Sequence, residues 1–281
     1  MSHIKQQTIA SQFTLEGVGI HSGETSRLTV KPASKGGIRF KRMDIDGNPE
    51  FPAHLDFVQE TDRGTNLGVG ELRIMTIEHI MSSLIASEVD HVVIELSGNE
   101  IPILDGSFQP FCRAITAVGL RQLSSDVEVM HITRDLRIEC DSGASYRVSP
   151  CSNLQISAQI EFTHSAIGRQ SGVFKINPNT FGSEIAAART FGFESDVGYL
   201  KARGLARGAS LENAIVLDDT GVINGPLRFK DEFLRHKVGD LLGDLALIGK
   251  RIRASIICEK PGHEGNIKMA RFLRDKVKSN D

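Results

Sequence analysis

The sequence predicts an α+β fold built from two similar layered units, with the reactive groups where the two units meet. Three observations carry this. Short alternating strands and turns fill the first third of the chain. An amphipathic helix runs into an apolar strand and then a further helix, once in each half. A histidine stands near the front of each first helix with a leucine five residues on, His79 with Leu84 and His236 with Leu241. A repeated element order of this kind reads as duplication of one α+β unit.

The elements follow in order. Gln12 to His21 leads through Ser22-Gly23 into the alternating Arg27-Leu28-Thr29-Val30, a hairpin pattern. Gly17-Val18-Gly19-Ile20-His21-Ser22-Gly23 lacks the third glycine of a phosphate loop and no clear helix follows, so a hairpin or bulge is expected there. Thr76 to Ala86 is helical, because Ile77, Ile80, Met81, Leu84 and Ile85 form one apolar stripe. Thr76 is the expected N-cap. His91 to Leu96 reads as a largely buried strand, Asp105-Gly106 as a turn, and Phe108 to Val118 as a helix. The polar Arg121 to Asp126 is the expected boundary, giving units over 1–124 and 125–281. In the second unit a helix runs from Asp231 to Ile248 with Val238, Leu241, Leu242, Leu245 and Ile248 as its stripe. A strand from Ile252 to Cys258 follows.

Composition excludes several classes. A net charge of −2 gives a nucleic-acid partner no electrostatic support, and no Trp with only two Tyr leaves few stacking platforms. Cys112, Cys140, Cys151 and Cys258 form neither a C-x-x-C nor a disulfide spacing, which fits a reducing compartment. The first residues lack the apolar core of a signal peptide, and no stretch is apolar enough to span a membrane. A cytoplasmic protein, monomeric, is the expectation. Lys268, Arg271, Arg274 and Lys278 offer a basic helical face for transient contact with a membrane surface, a solvated face being the plainer reading.

Two segments carry the chemistry, Glu78-His79 and His236-Lys237-x-x-Asp240. Together they hold two imidazoles, a carboxylate suited to a metal and a spare carboxylate, which is the inventory of a catalytic zinc site with an open position. His236, Asp240 and Asp244 recur every four residues and share one helix face. The same spacing also suits a solvated polar face with an internal His–Asp hydrogen bond. Glu78 and His79 can flank a cleft, or form an exposed pair in a first helical turn. Lys260-Pro261-Gly262-His263 puts a histidine just beyond a strand. There it is either a general acid, kept protonated by Asp244, or an ordinary loop residue. Lys237 adds a fixed positive charge beside the ligands.

These residues lie in motifs that resemble a known family. Val18-Gly19-Ile20-His21-Ser22-Gly23, Thr76-Ile77-Glu78-His79-Ile80, Ile101-Pro102-Ile103-Leu104-Asp105-Gly106-Ser107, Ala188-Arg189-Thr190-Phe191-Gly192-Phe193, the His236 segment and Gly262-His263 occur in the order found in UDP-3-O-acyl-N-acetylglucosamine deacetylases of lipid A synthesis. The resemblance implies two α+β domains, each with a small insert. It implies one zinc ion per chain on His79, His236 and Asp240, with Glu78 as general base and His263 as general acid. Thr190 would stabilise the oxyanion, and Lys237 and Asp244 would support the charges. Phe191, Phe193, Asp196 and Lys260 would hold the UDP-sugar, Lys260 at the pyrophosphate. The acyl chain would enter a passage formed by an insert over about residues 193–216, past Ala209 and Val216.

Two departures from the family pattern stand out. Arg207-Gly208-Ala209-Ser210 stands where the resemblance implies a Gly-Gly-Ser, so the Ala209 methyl is expected to narrow the acyl passage. Gly239 replaces a bulkier apolar residue, at a helix cost of about 1 kcal/mol relative to Ala. A zinc amidase on another acylated amino sugar, or a non-catalytic lipid- or sugar-binding relative, are the alternatives.

Overall fold

The computed structural model describes residues 4–278, without the side chains of Val277 and Lys278. Its frame is two sheets, the first of five strands and the second of six, that share one five-strand topology; the sixth strand, Val129–His131, pairs parallel with the central strand of the second sheet. The first joins β1 (Phe13–Val18), β2 (Thr25–Pro32), β3 (Ile38–Arg42), β4 (Glu50–Pro52) and β5 (Val92–Leu96) in the order β1-β2-β5-β3-β4. The second joins β6 (Leu136–Glu139), β7 (Ser145–Pro150), β8 (Leu154–Glu161), β9 (Arg169–Lys175) and β10 (Arg251–Glu259) in the order β6-β7-β10-β8-β9. In both, two hairpins are laid down first and the last strand inserts between them. That strand runs antiparallel to the second strand and parallel to the third. The central strands both alternate, burying every second residue in the core. Ile94 sits opposite Val30 and Phe40, and Ile256 opposite Val148 and Ile156, all buried. The duplication suggested by the element order is therefore present in the sheets.

Each central strand is preceded and followed by a helix: α1 (Glu78–Ala86) and α2 (Gln109–Val118) around β5, α3 (Glu232–Leu245) and α4 (His263–Lys278) around β10. A 3-10 turn from Ala246 to Ile248 completes the expected Asp231–Ile248 helix. The helices pack the two units together, α1 lying along α3 and α4 against α3. Small residues set that contact. A Cβ at position 239 would fall 2.3 Å from the Phe108 ring, so Gly239 admits Phe108 against α3 and its propensity cost is offset by packing. Each half also carries a small three-stranded sheet beside the main one. The first is Val58–Glu60, Asn66–Val69 and Leu72–Ile74; the second is Phe191–Phe193, Ile215–Asp218 and Gly221–Val222.

One expectation is corrected. Thr76 does not cap α1: the helix begins at Glu78, and Thr76 has φ 59° and gives its hydroxyl to the buried Glu100 carboxylate at 2.8 Å. A left-handed residue cannot open a helix, so the chain turns sharply there and enters α1 one residue later. The polar Arg121–Asp126 segment, the expected boundary, lies in a strand. Leu120–Asp126 is a strand antiparallel to Lys5–Ile9, and its polarity reflects a solvent-exposed ribbon. The Gly17–Gly23 segment is the expected hairpin between β1 and β2.

On α4, Arg271 donates to the Leu55 carbonyl at 3.2 Å, Arg274 pairs with Asp56 at 2.6 Å and Lys268 with Asp141 at 3.3 Å. The Lys278 side chain lies outside the described residues. Among the described residues no helix is long and apolar enough to cross a membrane.

Candidate active site

The front of α1 meets the middle of α3, and this crossing brings the two chemistry-bearing segments together. Gly243 makes it close: a Cβ there would fall 2.2 Å from the Glu78 carbonyl oxygen. Donor atoms of His79, His236 and Asp240 then lie within 4.8 Å of one another, and all three residues are buried. The face carrying His236, Asp240 and Asp244 is thus not a solvated one, and Glu78 and His79 are not an exposed pair.

The three residues fit a metal ion. His79 Nδ1 and Asp240 Oδ1 are buried without a hydrogen-bond partner among the described residues, a state a cation would relieve. His236 donates from Nδ1 to the Ala188 carbonyl at 3.2 Å, which leaves Nε2 free as a ligand. Burial, helped by neighbouring His236, pushes His79 down to about 3, and burial also lowers His236. Both imidazoles are therefore neutral at physiological pH, as metal ligation requires. Burial works against the Asp240 carboxylate, but His236, Lys237 and His263 hold it ionised, well below the usual carboxylate range. Lys237 Nζ lies 2.8 Å from Asp240 Oδ2. Phe108 packs on both imidazoles, with ring centroids 4.8 Å from His79 and 5.1 Å from His236.

Two buried titratable groups, Glu78 and His263, lie beside this cluster. His263 Nε2 is 3.9 Å from Glu78 Oε1 and 3.8 Å from Asp240 Oδ2. Burial raises the Glu78 carboxyl, and although His263 opposes this, the carboxyl reaches about 7. Burial would lower His263, yet Asp244, reinforced by Glu78 and Asp240, pushes it up to about 9. Asp244 Oδ2 lies 3.0 Å from His263 Nδ1 and accepts from Asn266 Nδ2 at 2.8 Å. Two titrating groups with values driven apart by environment, side by side, form a ready base and acid around neutral pH.

The cluster opens into a cavity of about 230 Å³. Glu78, His79, His236, Lys237, Asp240 and His263 line its reactive end. Of the other residues singled out in the sequence, Thr190, Phe191, Phe193, Asp196, Ala209 and Val216 also line it. Asp244 does not; it stands behind His263, fully buried. Lys260 is not among the lining residues and pairs with Glu161 at 3.1 Å. Apolar walls come from both halves, with Ile20 and Ile103 on one side and Leu200, Ala206 and Ala214 on the other. The segment around Arg207 docks on the β1–β2 hairpin. Arg207 and Gly208 donate to the carbonyls of His21 and Ile20, both at 3.1 Å.

A model of the UDP-3-O-acyl N-acetylglycosamine deacetylase family matches residues 6–275. The chain belongs to this family. A UDP-3-O-acyl-N-acetylglucosamine deacetylase of Thermodesulfovibrio yellowstonii is 41% identical over 269 residues, covering 95% of this chain and 91% of the relative. Deacetylases of the same name from Myxococcus xanthus and Acinetobacter baumannii are each 39% identical across 96% of this chain, covering 86% and 91% of their own lengths. In this deacetylase-family chain the site also gathers residues that the sequence did not mark. Thr65, Arg63 and Phe162 are the main ones, with Thr65 bonded to Glu78 and Asp244 and the other two in the cavity wall. No local pattern distinguishes them. His21, another lining residue, sits inside the Val18–Gly23 family motif, its only signal in the sequence.

Proposed function

We propose that the chain hydrolyses the N-acetyl group of UDP-3-O-[(3R)-3-hydroxyacyl]-N-acetylglucosamine, releasing acetate, as a zinc-dependent step of lipid A biosynthesis in the cytoplasm. The observation that carries this is the position of the His79–His236–Asp240 cluster beside Glu78 and His263, at the end of an apolar cavity. When bound by those three residues, zinc supplies Lewis acidity toward the amide carbonyl and acidifies water.

The chain's own groups do the rest. Glu78 takes a proton from the attacking water, and a carboxyl raised to about 7 is a strong enough base to do so near neutrality. His263, cationic below about 9, gives a proton from Nε2 to the departing amine. The Thr190 hydroxyl donates to the developing oxyanion, and Lys237 adds positive charge at the same end of the cavity. Phe191, Phe193 and Asp196 hold the sugar nucleotide. Lys260 reaches the diphosphate by leaving Glu161. The acyl chain runs past Ala209 and Val216, and its burial supplies binding energy that orients the amide. The two units, over 1–124 and 125–281, act as one monomer, each contributing to one centre.

The test is acetate release from this substrate by metal-stripped protein, before and after one equivalent of zinc. Activity restored by zinc alone supports the reading. Stoichiometric zinc binding without acetate release rejects the substrate, and a panel lacking either the UDP or the 3-O-acyl group then locates the acylated sugar that is accepted.

A further inference from the structure

Thr65 lies in the turn that precedes the strand Asn66–Val69 and is completely buried. Its backbone N–H donates to Glu78 Oε2 at 3.0 Å. Its hydroxyl donates to Asp244 Oδ1 at 2.5 Å, and the same oxygen lies 3.2 Å from His263 Nδ1. The hydroxyl has one proton, and Asp244 takes it. Toward His263 the oxygen can therefore only accept, which requires a proton on Nδ1. Nδ1–H is then shared between Asp244 Oδ2 and Thr65 Oγ1, and Nε2 is the nitrogen left to face Glu78 and the cavity.

We infer that Thr65 is a positioning residue for the reaction proposed above, fixing the general base through its amide and the general acid through its hydroxyl. The inference rests on that reading of Glu78 and His263. The neighbouring residues hold Thr65 in place. A Cβ at position 64 would lie 3.0 Å from Glu78 Oε1, so the turn is packed directly on the base. Asp62 pairs with Arg203 at 2.8 Å and Arg63 with Asp196 at 3.1 Å, tying the turn to the far wall of the cavity. Asn66 accepts from the Thr76 N–H at 3.2 Å, two residues before Glu78.

Thr65→Val keeps the shape and the amide but removes the hydroxyl. Asp244 Oδ1 then loses its donor, and the His263 ring is held by one contact instead of two. Misplacement of a reacting group on the scale of 1 Å costs on the order of 100-fold in rate. The expected result is a kcat lowered by roughly 10- to 100-fold with KM within about twofold, zinc content unchanged, and Thr65→Ser restored to within a fewfold of the parent. A merely structural role would lower thermal stability while leaving kcat of the folded protein intact. That result, or a Thr65→Ser as impaired as Thr65→Val, overturns the inference. Crystal structures of the parent and Thr65→Val give a readout independent of substrate. A displaced or rotated His263 ring is expected. Superposable Glu78, Asp244 and His263 overturn the inference, even if the parent proves inactive on the proposed substrate.

Discussion

The Cβ that any residue other than glycine would carry at position 243 falls 2.2 Å from the carbonyl oxygen of Glu78. The atom it meets is backbone, in the first turn of the helix that supplies both Glu78 and His79, so no side-chain rotation can relieve the overlap. Gly243→Ala must push the two helices apart. Overpacking of this kind costs about 1–3 kcal/mol, and a shift of about 1 Å at the base costs about 100-fold in rate. Activity is expected to fall far more than stability does. A variant with parental kcat/KM would show that the crossing tolerates the methyl.

The pH profile of kcat/KM should be bell-shaped. It rises through about 7 as Glu78 loses its proton and falls through about 9 as His263 loses its own, the two limbs belonging to the interacting pair. Asp244→Asn removes the main group holding His263 up, so the alkaline limb should move toward the ordinary histidine value of 6.5. An alkaline limb unmoved in that variant would take the acid role away from His263.

Stability of the metal-free protein follows from the same values. The raised His263 contributes stability that is complete below 6.5 and is lost as pH rises through about 9. The raised Glu78 keeps a proton in the folded state that the unfolded chain gives up from 4.5 onward, so its burial costs more as pH rises through about 7. Both act in one direction, and the melting temperature of metal-free protein should fall between pH 5 and 10 by these two groups. Glu78→Gln should flatten the lower part of that fall.

Ala209 lines the cavity next to the segment docked on Ile20 and His21. Ala209→Gly should widen the apolar passage. One methyl or methylene is worth a factor of roughly 10 or more in discrimination, so the ratio of kcat/KM for a longer over a shorter acyl chain should rise by about that much. An unchanged ratio would place the chain elsewhere.

Glu232 is fully buried and accepts from Arg189 at 2.9 Å from Nε and 3.0 Å from the backbone N–H, one residue before Thr190. Removing one member of a buried pair costs about 3–5 kcal/mol. Urea unfolding of Glu232→Ala should show a loss of that size. A loss of about 1 kcal/mol or less would mean that Arg189 regains water on its partly exposed side.

Much of this was legible from local pattern. The stripes of α1 and α3 follow from the 3.6-residue repeat, and the recurrence of a histidine-fronted helix before an apolar strand pointed to two matching sheets. The donor set was legible because metal chemistry restricts it to a few residue types. What failed depended on the tertiary fold. Thr76 looked like a cap because side-chain type says nothing of its left-handed φ, which accompanies a hydroxyl bonded to Glu100. Thr65 carries no signal at all: its partner Asp244 is 179 positions away, and only the fold makes them neighbours.

Glu78 and His79 come from the unit of the first sheet, and His236, Asp240 and His263 from that of the second. A polypeptide cut at the Leu120–Asp126 ribbon would give two inert fragments. Turnover in their mixture would be limited by encounter, scaling with the product of the two concentrations until pairing saturates.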